Sequence, residues 1–362
     1  MFYGVQQTKF VGLVGHDRRE FEIFSHRMSN VQNNSIEKTT LPVIGITMGD
    51  AAGIGPEITL KALSDTNLKS SFRPVIIGDG AVLRKTAIDL GLRLDFVEFG
   101  EESENIEIVD LKNLPAGIAI GEDSSVTGKA SAEYIEAAVK LWSEGKIDAV
   151  ATAPISKKAI ALGGYDYPGH TEFLADLTST KQFAMSFFAD KLRIVLLSTH
   201  ISLRRAIEMV RKDSLVTLVT FAHAQLSELL SKDVRIAVAG LNPHASEGGM
   251  FGNEEADEIT PAILECRDKY GIDVSGPFSP DTIFLRGFQG EFDAIIACYH
   301  DQATIAVKSL SFGAAVNVTL GLPLIRTSVD HGTAFDIAGK GIADASSMKG
   351  AINLAAELVR RS

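Results

Sequence analysis

The chain has 362 residues, 45% hydrophobic and 22% charged, which is enough to bury a large core and, at this length, to form two domains. Its formal net charge of -11 and the lack of any long basic cluster exclude a nucleic-acid binder, so an anionic ligand must meet a few placed cations. Cys266 and Cys298 lie far apart and form no Cys-x-x-Cys pattern, which excludes a disulfide framework and a thiolate zinc site and suits a reducing compartment.

Residues 1–40 differ in texture from the rest of the chain and end in the polar stretch Asn30 to Thr40, so they are expected to form a dispensable extension outside the fold. They lack a basic start followed by an apolar block, and Met28 offers a second start. No uncharged apolar run reaches the roughly 18 residues that a membrane helix needs, and the expected location is the cytoplasm. The first strand signal is Val43 to Thr47, followed by β-branched runs at Pro74 to Gly78, Ile147 to Thr152, Arg193 to Ser198, Arg235 to Gly240 and Asp293 to Ala297. Helical patterns at Lys129 to Glu144, Leu215 to Leu230 and Glu254 to Lys269 separate them. This alternation predicts an α/β protein with a largely parallel sheet and ligands at strand ends.

Strand one runs into Gly49-Asp50-Ala51-Ala52-Gly53-Ile54-Gly55-Pro56-Glu57 and then a helical pattern. Gly53 and Gly55 either let backbone amides approach a ligand at a helix start or simply make a tight turn. A second glycine-rich segment, His331-Gly332-Thr333-Ala334-Phe335-Asp336-Ile337-Ala338-Gly339-Lys340-Gly341, lies near the other end. Together the two resemble the loops of the β-decarboxylating dehydrogenases of the isopropylmalate and isocitrate group. That resemblance implies a two-domain α/β/α fold with its active site in the interdomain cleft, and a late loop, with His331, Ala334 and Asp336, that holds the adenosine end of a dinucleotide. A carboxylate at Asp336 would accept ribose hydroxyls and repel a 2'-phosphate, favouring NAD over NADP. Phe335 replaces the proline usual in those relatives.

Four histidines carry the second pattern: His170 in Pro-Gly-His-Thr-Glu, His200 in Ser-Thr-His, His244 in Asn-Pro-His and His300 in Tyr-His-Asp-Gln. The last three each follow a predicted strand, where imidazoles converging with an open position would suit Zn²⁺, Co²⁺ or Mn²⁺; singly, such a histidine is more often a packed or surface residue than a ligand. Lys308, Asn317 and Arg326 come next in the chain, read either as surface residues or as partners for phosphate and carboxylate. No Gly-x-Ser-x-Gly elbow supports a hydrolase, and Cys298 reads as a small core residue.

These signatures, in this order, resemble the 4-hydroxythreonine-4-phosphate dehydrogenase family over essentially Leu41 to Arg361. The resemblance implies His200, His244 and His300 as ligands of one divalent ion (Zn²⁺, Co²⁺, Mn²⁺ or Mg²⁺). It implies His170, Thr171, Lys308, Asn317 and Arg326 as substrate contacts, with His170 and Asp281 as catalytic positions. It further implies NAD-dependent oxidation and decarboxylation of 4-hydroxythreonine 4-phosphate in pyridoxal phosphate synthesis, by a homodimer whose active site lies at the subunit interface. Threonate or erythronate 4-phosphate is the alternative substrate, and a non-catalytic metal-binding module the alternative of another class. The expected domains are 41–125 with 308–362, and 126–307. Ala51 replaces a common proline, and Ala303-Thr304-Ile305-Ala306 lacks the glycine and proline usual beside His300.

Overall fold

The structure, a computed structural model, describes residues 41–361 apart from 66–70, 102–104 and 312–314; the predicted extension lies outside the described residues. In chain order the strands are β1 (Val43–Thr47), β2 (Arg73–Gly78), β3 (Phe96–Glu98), β4 (Ile106–Asp110), β5 (Ala149–Thr152), β6 (Ala184–Ala189), β7 (Leu192–Leu196), β8 (Ile236–Ala239), β9 (Val274–Phe278), β10 (Ala294–Ala297), β11 (Val316–Leu320) and β12 (Ile325–Ser328). The helices are α1 (Gly55–Leu63), α2 (Gly80–Asp89), α3 (Ser125–Ser143), α4 (Lys157–Leu162), α5 (His170–Leu177), α6 (Leu203–Glu208), α7 (Lys212–Leu230), α8 (Thr260–Tyr270), α9 (Ile283–Phe288), α10 (His300–Ser311) and α11 (Ser346–Arg361). A π turn, Glu255–Ile259, leads into α8.

All of these strands join one 12-stranded sheet in the order β3-β4-β2-β1-β5-β12-β11-β6-β7-β10-β8-β9. The fold is therefore mixed α/β. The six predicted strands all form; they were legible because β1, β2, β5, β7, β8 and β10 are buried almost throughout and so read as apolar runs. Pairing is parallel in the two flanks and antiparallel at β12-β11, β11-β6 and β6-β7. The flanks thus run in opposite senses. Loops after β1, β5 and β12 leave one end of the sheet, whereas those after β7, β8 and β10 leave the other.

Side-chain alternation sorts the core. In the first flank Ile44, Ile76 and Ile108 lie on one face and Val150 on the other, and both sets join one cluster that includes residues of α1, α3 and α11. In the other flank, Phe188, Val195 and Val318 cover one face, while Phe187, Ile194 and Ile295 cover the opposite face beneath Ile283 of α9 and Ala303 and Val307 of α10. Helix α10 consequently lies across the sheet, carrying His300 at its start and Lys308 near its end.

Candidate active site

Register places Phe187, Asn317, Thr319, Arg326, Ser328 and Thr152 on the sheet face that α10 covers, because Asn317 opposes Phe187 and Ser328, and Ser328 opposes Thr152. Arg326, on β12, is 3% exposed. Its Nε and Nη2 donate to Thr152 Oγ1 at 3.2 and 2.8 Å, and its Nη1 donates to Asn317 Oδ1 at 3.3 Å and Thr319 Oγ1 at 3.2 Å. Every partner is neutral, and no carboxylate pairs with the guanidinium among the described residues. Burial accordingly pushes its pKa down to about 10, still cationic at neutral pH. A buried cation held only by dipoles keeps its charge available to an anion. Sequence reading found Arg326 and Asn317 but missed Thr152 and Thr319. The signal was the alternation of Asn317 with Thr319, which puts both polar side chains on one face.

Helix α5 begins at His170, which is half-buried as a residue while its Nε2 atom is enclosed without a hydrogen-bond partner. Burial first, then the charge of Arg326, holds its pKa well below the usual histidine value, so the ring is neutral at pH 7. Thr171 Oγ1 lies 3.4 Å from Thr319 Oγ1, tying α5 to β11. Lys308 is exposed on α10 and stands 3.7 Å from the Asp330 carboxylate, at the end of the sheet where the late loop emerges. Between His300 and Lys308 an open cleft of about 380 Å³ is lined by Phe187, Thr304, Ile305 and Asp330.

The loops after β7, β8 and β10 carry His200, His244 and His300, with β10 central. The His200 and His300 rings are 5.5 Å apart between centroids. Two imidazoles on one ion, each with its ring centre about 3.2 Å away at a tetrahedral angle, are separated by roughly 5.2 Å, so this pair fits a shared cation. His300 Nδ1 meets Asp301 Oδ1 at 2.7 Å, leaving Nε2 for a ligand. Burial, then Lys157 and His300, lowers the His200 pKa and favours the neutral, ligating form. His244 stands apart, its ring 6.5 Å from that of Phe251. Among the described residues no group of three His, Cys, Asp or Glu side chains is close enough to hold an ion. The chain brings two of the three predicted ligands together.

His244 belongs to a turn in which His244, Ala245, Ser246 and Glu247 all have positive φ. Such backbone persists only where its surroundings over-determine it. The Ser246 hydroxyl does this by donating to Gly252 O and accepting from Gly249 N at 2.9 Å, while buried Glu255, which sequence reading missed, holds the approach to the turn: its carboxylate accepts from the amides of Leu241 and Asn242 at 2.8 and 2.7 Å and from Asn242 Nδ2 at 2.8 Å. Asp281 faces the same turn. Its pKa is held low by the Ser279 hydroxyl first, with a smaller contribution from His244.

The two glycine-rich segments, at opposite ends of the sequence, meet in space. Ile54 N donates to Thr333 O at 3.0 Å, and a Cβ on Gly53 would come within 2.9 Å of Thr333. A Cβ on Gly55 would sit 2.2 Å from Met48 O. The amides of Asp50, Ala52, Gly53 and Ile54 are all bonded within the protein, so both glycines have a packing reason at this turn. Glu57 clamps the late loop by accepting from Gly341 N and Ala343 N, while Lys61 donates to the carbonyls of the same two residues. In that loop Ala334 has φ +44°, His331 Nδ1 lies 3.0 Å from Gly332 O, and the exposed Asp336 carboxylate has no partner among the described residues. Cys298, 0% exposed with its thiol pushed up to about 12 by burial, is a core residue as predicted.

A sheet face with an unpaired guanidinium, a partnerless imidazole and a pair of histidines beside a clamped glycine-rich loop belongs with the α/β dehydrogenases, and comparison with known proteins supports this. The chain belongs to the family of the pyridoxal phosphate biosynthetic protein PdxA, whose profile matches residues 70–355. A D-threonate 4-phosphate dehydrogenase of Cupriavidus necator is 46% identical over 328 residues, 89% of this chain and 98% of the relative. Solved structures of 4-hydroxythreonine-4-phosphate dehydrogenases from Burkholderia phymatum and Klebsiella pneumoniae are 42% and 40% identical, with TM-scores of 0.78 and 0.80. Each covers 88% of this chain, which in turn covers 99% and 98% of them. This chain is an oxidoreductase of the dehydrogenase type.

Proposed function

We propose that the chain oxidises the C3 alcohol of a four-carbon hydroxy acid 4-phosphate with NAD and one divalent ion, and that the product loses its carboxylate. The observation that carries this reading is the buried Arg326 guanidinium without a counter-ion, beside the partnerless His170 Nε2. D-threonate 4-phosphate is the first choice of substrate, on the 46% identity with the Cupriavidus enzyme. The second is 4-hydroxythreonine 4-phosphate, to which the sequence resemblance pointed and for which the Burkholderia and Klebsiella structures are named.

A bound nicotinamide would supply the hydride acceptor for C3, and a bound cation would supply a Lewis acid for the C3 oxygen. Arg326, Asn317, Thr171 and Lys308 hold the anionic ends of the substrate. His170, neutral and aimed into the same cradle, contacts substrate and takes or returns a proton. Oxidation makes a β-keto acid, whose C1–C2 bond breaks to release carbon dioxide while a proton is delivered to C2. His200 and His300 supply two ligands to the cation, and His244 the third across the interface of a homodimer. Asp281 orients that histidine. Asp336 takes the ribose hydroxyls, beside Gly53, Gly55, His331 and Ala334. The proposed lobes are 41–125 with 308–362, and 126–307.

The test is NADH formation at 340 nm with D-threonate, D-erythronate and 4-hydroxythreonine 4-phosphates, each with Zn²⁺, Co²⁺, Mn²⁺ or Mg²⁺ added to chelator-treated protein. Turnover of one of the three supports the reading. No turnover of any, with any ion, refutes it.

A further inference from the structure

The segment Ala303 to Ala306 departs from the family pattern, and two of its residues, Thr304 and Ile305, line the cleft, of which Thr304 alone is polar. His300, Thr304 and Lys308 are spaced i, i+4, i+8 on α10, so they share one helix face. At about 1.5 Å per residue, Thr304 stands roughly 6 Å along the axis from each of the other two. All three line the same cleft. Thr304 is 8% exposed, and its hydroxyl has no hydrogen-bond partner among the described residues. Elsewhere in this chain a helical threonine such as Thr220 satisfies its hydroxyl on a carbonyl one turn back. Thr304 leaves that capacity facing the cleft instead. Its oxygen still reaches solvent in the cleft, so a ligand that displaces this water can use both its donor and its acceptor capacity.

We infer that Thr304 is a specificity-determining residue, whose hydroxyl hydrogen-bonds the polar substituent on C2 of the substrate. This rests on the proposed reaction, in which the reacting C3 oxygen lies by His300 and an anionic end by Lys308. The carbon between the reacting alcohol and the carboxylate then passes Thr304. A threonine hydroxyl both donates and accepts, so it matches a C2 hydroxyl, which does the same, more fully than a C2 ammonium, which only donates. The chemistry selected is a 2,3-dihydroxy acid phosphate over its 2-amino counterpart.

Thr304→Val removes the hydroxyl and keeps the branched shape; Thr304→Ser keeps the hydroxyl. Both are compared with the unmodified protein on D-threonate 4-phosphate and on its 2-deoxy analogue, 3,4-dihydroxybutyrate 4-phosphate. The readouts are kcat/KM and the calorimetric Kd of each ligand. Loss of one buried hydrogen bond predicts that Thr304→Val is about tenfold worse on the 2-hydroxy substrate, by both readouts, and unchanged on the 2-deoxy analogue. Thr304→Ser recovers most of the loss. Equal loss on both ligands, or no loss on either, overturns the assignment while leaving the proposed reaction intact. If the unmodified protein neither binds nor oxidises any of these acids, the proposed reaction itself is refuted and the role of Thr304 falls with it.

Discussion

Arg326→Met separates a binding role from a structural one, because the two act in opposite directions on the ligand-free protein. The substitution keeps an unbranched side chain and removes four hydrogen bonds to three neutral oxygens. At about 1 kcal/mol net each, their loss costs about 4 kcal/mol. Removing a buried cation without a counter-ion relieves a desolvation penalty of several kcal/mol. The two nearly cancel, so the change in unfolding free energy is expected to lie within about 2 kcal/mol of zero. Binding is another matter. Two charge-assisted hydrogen bonds to an anion contribute about 3 to 6 kcal/mol, so kcat/KM should fall about 10²- to 10⁴-fold. Arg326→Lys keeps the charge without the fork and recovers only part of this. Urea denaturation and substrate-induced thermal shift measure the two sides. A variant that loses more than about 4 kcal/mol of stability yet keeps its kcat/KM per folded molecule, and its substrate-induced shift, would show that Arg326 is structural and the reasoning wrong.

His170, neutral when folded, is protonated in the unfolded chain as pH falls through about 6.5, so its contribution is present above that pH and lost below it. The stability gap between the wild type and His170→Asn should therefore shrink by about 1 kcal/mol between pH 7.5 and 5.5 in urea titrations; a constant gap contradicts the burial argument. Single His200→Ala, His244→Ala and His300→Ala variants should each lose bound divalent ion by elemental analysis and nearly all turnover, with melting temperatures close to the wild type. Mixing unfolded His200→Ala and His244→Ala chains and refolding them should restore roughly a quarter of the activity if the ligands come from both copies, and none if each site lies within one chain. Asp336→Ser should lower the ratio of NAD to NADP kcat/KM about tenfold or more, and equal use of both by the wild type would contradict the role given to its carboxylate.

Much of this was legible in the sequence, for local reasons. Val43 to Thr47, Arg235 to Gly240 and Asp293 to Ala297 announce buried strands by β-branched runs, and the histidines after them announce loops at strand ends. Strands β11 and β12 were missed because Asn317, Thr319, Arg326 and Ser328 break their apolar character. Those same polar residues lie on the sheet face of Phe187, so the feature that hid the strands is the feature that gathers polar groups there. Thr152 and Thr319 meet on Arg326 only because β12 inserts between β5 and β11, a pairing across more than a hundred residues that no local period reports. The turn at His244 was equally hidden, since its left-handed backbone carries no glycine at His244, Ala245 or Ser246 to mark it.

The place of β11 and β12 also governs how the molecule can be made. The last strands in the chain occupy the middle of the sheet, between β5 and β6. While the ribosome is still adding residues beyond β10, both flanks exist with their inner edges open, and unpaired strand edges are what draw nascent chains together. The site appears only when those edges are closed, because Asn317 and Arg326 ride on the closing strands. A truncated chain ending before residue 316 would lack the guanidinium and expose the two edges that β11 and β12 join, so the proposed substrate contacts form only once these strands are made.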